Sequence, residues 1–181
     1  TPFVALSAYA AKSAIDFETA YTGVTKTVDG TKQQLSTLRK ELLEMSKVMP
    51  NTADELADIA ATAGQLGIKT ENIKGFTKVI AELGVATNLT AEQGASDLAR
   101  FANIVGMSQN NFDRLGSTIV DLGNHFATTE SEIVSMGLRL AGAGHQVNMS
   151  EADMMGFAAA LSSVGIEAEM GGSAFSKLMI N

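Results

Sequence analysis

The chain has 181 residues, of which 45% are hydrophobic, and its 20 acids against 13 bases give a formal net charge of −7. That length is ample for one sizeable core, while the acidic balance excludes a nucleic-acid-binding face built from clustered Lys and Arg. With no cysteine there is no disulfide, thiolate nucleophile or cysteine metal site, and the redox compartment stays undetermined. The longest uncharged stretch, Met154 to Ile166, contains Ser162, Ser163 and two glycines and is too short to span a bilayer. No signal-peptide pattern opens the sequence.

From the start, apolar residues alternate at spacings of three and four: Phe3, Ala10, Ala14, Phe17, Tyr21, Val24, Val28, Leu35, Leu38, Leu42, Met45 and Met49, with only Ser7 and Thr31 polar in the series. An apolar repeat of 3.5 held for about six heptads marks a coiled coil or a long helical arm. Asp29-Gly30 is a turn dipeptide, and Thr31 with Gln34 forms a capping box. The pattern therefore predicts two helices, 3–28 and 31–49. Pro50 ends the second, because the residue before a proline is pushed out of helical geometry.

The next stretch repeats one grammar. Six glycines (Gly67, Gly84, Gly106, Gly123, Gly144 and Gly165) each follow apolar residues one, four, eight and eleven places earlier, such as Leu122, Ile119, Leu115 and Phe112 before Gly123. Every such position is apolar, about twice what the overall composition gives by chance. The uneven spacing of these glycines indicates a quasi-repeat of single helices rather than a solenoid of helix pairs. Each restart carries its own signal. Thr52 with Glu55, Thr90 with Gln93 and Thr129 with Glu132 are capping boxes, and Thr70, Ser108 and Ser150 are simpler N-cap candidates. The closing glycines suit the left-handed residue just past a helix end.

These signals predict an all-α fold, an array or bundle of about eight or nine mostly short amphipathic helices. Roughly 60% or more of the chain should be helical. The division expected is a heptad-patterned arm over 1–50 and a multi-helical core region over 51–181. Ile59, Phe76, Ile80, Leu98, Leu115, Ile119, Leu140, Phe157 and Leu161 should be buried. The opening threonine and the uncapped final run, Gly172-Ser-Ala-Phe-Ser-Lys-Leu-Met-Ile-Asn181, read as ends cut from something longer.

Almost nothing in the chain reads as chemistry. His125 and His145, the only histidines, have carboxylates nearby (Asp121, Glu130 and Glu151), but each follows a glycine stop where histidine suits the helix C-terminal dipole. A metal site needs three or four convergent groups. Ser117 lies in Gly116-Ser-Thr without Gly-x-Ser-x-Gly and with no strand before it. Glu167 and Glu169 look like a solvated turn, and Gly171-Gly172 like a point of close helix contact or a break. The pairs Gly64/Gly67 and Gly142/Gly144 lack the leading strand and the Lys-Ser of a phosphate loop. Of the nine methionines, Met136, Met149, Met154, Met155, Met170 and Met179 offer an adaptable surface, but seam positions favour the core. The reading assigns no catalytic, cofactor-binding or metal-ligating residue and no cofactor.

From Phe17 onward the chain resembles the core region of phage tail tape measure proteins. The runs that carry the resemblance are Phe17-Glu-Thr-Ala-Tyr, Thr25-Lys-Thr-Val-Asp-Gly-Thr, Glu55-Leu-Ala-Asp-Ile-Ala, Ala63-Gly-Gln-Leu-Gly-Ile and Ala86-Thr-Asn-Leu-Thr. They continue with Arg114-Leu-Gly-Ser-Thr-Ile-Val-Asp-Leu-Gly-Asn, Thr128-Thr-Glu-Ser-Glu-Ile and Gly165-Ile-Glu-Ala-Glu-Met-Gly-Gly-Ser-Ala-Phe-Ser. No single run is diagnostic, but the ordered series is fairly specific. The resemblance implies a structural virion protein inside the tail tube of a phage or prophage, made in the host cytoplasm, that sets tail length and leaves at genome ejection. It implies partners in the tail tube, tail tip and assembly chaperone proteins, and host membrane contact for the full-length protein only. It brings no catalytic residues to this region. The heptad seam adds an expectation of self-association. The rival reading is a helical-repeat adaptor holding a partner peptide in a groove; a lytic enzyme would need an acid/base pair that the chain does not display.

Overall fold

In the computed structural model, residues 2–180 are described, with side chains from Ala10 to Met179; the seam side chains of Phe3 and Ser7 lie outside that range. The described chain is 80% helical with no strand. Its helices are α1 (Pro2–Thr27), α2 (Lys32–Met45), α3 (Ala53–Gln65), α4 (Thr70–Ala86), α5 (Ala91–Val105), α6 (Phe112–His125), α7 (Glu130–Gln146), α8 (Glu151–Ser163) and α9 (Ala168–Ile180). A single 3-10 turn, Gln109–Asn111, precedes α6. Two compact units form, residues 1–78 and 79–181, and α4 contributes to both.

In the first unit the heptad stripe folds on itself instead of running on as one arm. The Thr31 hydroxyl accepts from Gln34 N–H while the Gln34 side chain accepts from Thr31 N–H, so α2 restarts after the turn. The two helices then lie antiparallel. The Tyr21 hydroxyl donates to the Leu35 carbonyl at 2.5 Å, Arg39 pairs with Glu18, and the Arg39 guanidinium stands 5.3 Å from the centre of the Phe17 ring. Both helices pack on α3. Gly64 allows this approach: a Cβ there would stand 2.6 Å from Val28 and 2.9 Å from the Thr27 backbone. Phe17, Tyr21, Val24, Val28, Leu38, Leu42 and Met45 are thereby buried within the chain, whereas the seam positions Ala10 and Ala14 are exposed. The second helix stops at Met45, earlier than the pattern suggested, and short turns through Lys47, Val48 and Met49 lead to Pro50.

The second unit is organised on α7, which packs against α5, α6, α8 and α9. Close approach comes from glycine set against methionine. A Cβ on Gly137 would stand 2.7 Å from Met155 Sδ, one on Gly144 2.5 Å from Met154 Sδ, and one on Gly171 of α9 2.6 Å from Met136 Sδ. All three methionines are fully buried. A Cβ on Gly172 would meet Arg139 Cβ at 2.8 Å, so the Gly171-Gly172 pair serves close helix contact.

Two expectations need correction. Only Gly67, Gly106 and Gly165 of the six glycines adopt a left-handed backbone past a helix end, with φ of 83°, 67° and 78°. Gly84, Gly123 and Gly144 lie inside α4, α6 and α7: a Cβ on Gly144 would meet the buried Met154 at 2.5 Å and one on Gly123 the end of the Glu130 side chain at 2.4 Å, whereas one on Gly84 would make only ordinary contacts at 3.7 Å. The left-handed residue after α7 is Asn148, φ 57°, the side chain that best tolerates it. The second correction concerns α8, where Phe157 and Leu161 are only half-buried and Val164 is exposed. The buried face is Met154, Met155, Ala158 and Ala159 instead. This helix is apolar nearly all round, so periodicity does not select a face; the glycines on α7 that receive its methionines do. The other named core positions are buried, Ile119 and Leu140 completely.

The capping signals hold with three exceptions, the first being that Thr90 and Gln93 form only the single bond from Gln93 N–H to the Thr90 hydroxyl and not the reciprocal box. Thr52, Thr90, Thr129 and Ser150 each accept the N–H three residues on. Thr70 instead opens α4 itself and donates to the Asp29 carbonyl at 2.5 Å, and Ser108 makes no side-chain cap.

Paired glycine substitutions on α7 test the packing account. Gly142 faces open space, so Gly142→Ala should raise unfolding stability by about 0.5–1 kcal/mol through helix propensity. Gly144→Val should lower it by about 1–3 kcal/mol, because the methyls displace Met154. Urea denaturation checks both, and equal effects at the two positions would contradict the packing.

Candidate functional site

The sequence-level candidates do not converge. The ring Nδ1 of His125 lies 2.7 Å from the Asp121 carbonyl and 3.3 Å from its carboxylate, one turn back on the same exposed helix end. His145 is exposed on the last turn of α7. The last turn of α6 meets the first turn of α7 through Gly123 and Glu130, so the two histidines stand at opposite ends of α7. Among the described residues no three His, Cys, Asp or Glu side chains group around a common point. The Ser117 hydroxyl donates to the Asp113 carbonyl of its own helix. Glu169 pairs with Arg139 at 3.3 Å. Of the methionines proposed as an adaptable surface, Met136, Met154 and Met155 are core and Met170 alone is well exposed.

Two recesses in the second unit carry polar geometry that sequence patterns did not single out. The first opens at the N-terminal end of α7. It is a cleft of about 520 Å³ with Gln93, Ser131, Glu132, Ser135, Ser162 and Glu167 on its walls and Met136 and Ile166 among its apolar lining. Helix caps place these groups. Glu132 Oε2 accepts from Thr129 N–H at 2.9 Å and from the hydroxyls of Thr129 and Thr128 at 2.9 and 3.0 Å. The Thr129 backbone bond, then the two hydroxyl bonds, hold the Glu132 carboxyl below its ordinary range. Thr128 also bonds Ser162 Oγ at 2.8 Å, and Asn88 joins Ser131 at 2.9 and 3.2 Å, tying α8 and the connection between α4 and α5 to the start of α7. The capping box Thr129/Glu132 was visible in the sequence; its meeting with Ser162 and Glu167 depends on tertiary packing.

The second recess is a shallow groove of about 620 Å³ between α5 and α7, lined by Asp97, Arg100, Asn103, Ile104, Ser135, Leu138 and Arg139. Neither recess aligns a nucleophile with a base and an orienting partner, the minimum for covalent or acid–base chemistry. In the first unit, the Asp58 carboxyl is raised by burial and by neighbouring Asp54 and Glu55 along the start of α3. No described helix is long and apolar enough to cross a membrane.

A family described as phage-related minor tail protein matches residues 39–181. No curated protein and no solved structure matches the chain.

The cap on α7 gives a pH-dependent prediction. A carboxyl whose folded pKa is depressed contributes stability that is present above its unfolded value and lost as pH falls through the folded one. Glu132→Ala removes the cap bonds of an exposed, solvent-screened carboxyl and should cost at most about 1 kcal/mol at neutral pH. The gap to the wild-type protein should narrow as pH falls below the ordinary value of 4.5. A gap independent of pH in urea titrations would contradict the capping geometry.

Proposed function

The chain belongs to the phage-related minor tail protein family, and from that premise we propose that it is a segment of a tail tape measure protein. In this reading it is a structural component of the virion, acting in tail assembly, in setting tail length and in genome ejection, without enzymatic activity. The observation that carries the proposal is the family match over 39–181 joined to the ordered tape measure runs that begin at Phe17. Capped amphipathic helices, with no strand among the described residues, are consistent with it. Tail tube, tail tip and assembly chaperone proteins are the partners this reading implies, and the inside of the tail tube is the location.

The two-unit structure refines what this segment contributes. Its helices fold into compact bodies, so length along a tail would be measured by extended helical stretches of the same protein rather than by these bodies. The adaptor alternative draws on the α5–α7 groove, where Arg100 and Arg139 flank Ile104 and Leu138.

Tail length is the test. In the phage or prophage encoding the chain, in-frame insertions of helical sequence into the same reading frame should lengthen tails by about 1.5 Å per residue. Deletion of residues 79–181 should impair tail assembly without any such proportional change. Tails of constant length across an insertion series would contradict the tape measure reading.

A further inference from the structure

The charge of the chain is unevenly divided. Residues 1–78 hold nine acids and nine bases, whereas residues 79–181 hold eleven acids and four bases, so the second unit carries the whole net charge of −7. Within that unit, the hydrogen bonds from Asn88 to Ser131 and from Thr128 to Ser162 draw several helix ends together. The last turns of α4, α6 and α8 meet the first turns of α5 and α7, and the cleft between them is also lined by Ile166, Glu167 and Ala168 at the start of α9.

This end has the features of a docking surface. Val85, Phe126, Val164 and Met170 are 59%, 41%, 72% and 63% exposed there. Singly exposed apolar side chains are ordinary, but each of these four stands within three residues of a group that ties or lines the cleft (Asn88, Thr128, Gly165 and Glu167), and apolar side chains around an open cleft mark an interaction surface. The cleft lining holds two carboxylates, Glu132 and Glu167, three serine hydroxyls and no lysine or arginine. Both carboxylates are exposed, so they offer a partner accessible negative charge, and an ion pair formed there is screened by salt. Glu132 already has one oxygen fixed by the α7 cap, so its charge is held in place before any partner arrives.

We propose that this end of the second unit docks a basic amphipathic helix of a partner protein. A lysine or arginine of that helix enters the cleft beside Glu132 and Glu167, and its apolar stripe lies on Val164 and Phe126. The charge of the unit steers the encounter, and the apolar contacts set the residence time. This site is independent of the tape measure reading, since it rests on the charge division and the geometry of residues 79–181 alone.

The probe is an amphipathic Leu/Lys peptide of about 18 residues, roughly five helical turns, with a Leu/Glu peptide of the same pattern as control. Binding to the whole chain is followed by calorimetry at low and moderate salt, with circular dichroism confirming the fold of each variant. The Leu/Lys peptide should bind and the Leu/Glu peptide should not. Glu167→Lys should weaken binding about tenfold, a loss of about 1.4 kcal/mol. Glu151→Lys makes the same charge change at the far end of α8 and should weaken binding less than about threefold. Val164→Ser should weaken it without altering its salt dependence. Equal losses for Glu167→Lys and Glu151→Lys would reduce the effect to net charge and overturn the site, as would absence of binding. Self-association of the protein itself, abolished by Glu167→Lys, would assign the surface to a second copy and overturn the separate partner.

Discussion

Close contact between α7 and its neighbours is the constraint on which the second unit depends. A helix of seventeen residues that touches four others has little room for side chains on every face. Gly137 and Gly144 resolve this by letting the α8 methionines lie on the α7 backbone, and Gly171 lets Met136 reach α9. Methionine suits this role because its unbranched, polarizable side chain fills irregular space. The first unit solves its own problem in a similar way, through Gly64 against Val28.

This constraint separates what the sequence makes legible from what it does not. Helix number, type and starting points were readable because hydroxyl caps act locally: Thr31, Thr52, Thr129 and Ser150 each bond the N–H three residues on, whatever packs nearby. Glycine was harder. The same residue type ends α5 at Gly106 and lies inside α7 at Gly144, and only the position of Met154 distinguishes them. The face of α8 was unreadable for the same reason, since its apolar residues occupy nearly the whole circumference. The polar cleft at the start of α7 was half legible: its cap is a sequence motif, but Ser162 and Glu167 reach it only through the α8–α9 connection.

The stripe over residues 17–45 shows how a correct pattern can serve another purpose. A 3.5-residue repeat suits a coiled coil between chains, yet it equally suits two antiparallel helices closing on a third. Tyr21 bonded to Leu35 and Arg39 over Phe17 fix the second arrangement. Each large apolar side chain in the stripe gains about 1.5–3 kcal/mol on burial, and α3 supplies that burial within the chain. Within the single chain, the stripe is therefore accounted for by intramolecular packing.

The proposed account places this helical segment inside a phage tail. Locating residues 52–181 in intact tails, by electron cryomicroscopy of particles carrying a small tag in the exposed turn at Asn88, tests it most directly. Tag density within the lumen of the tube before ejection, and its loss from emptied tails, is the predicted result. Density confined to the outer surface of the tail, unchanged after ejection, would contradict it.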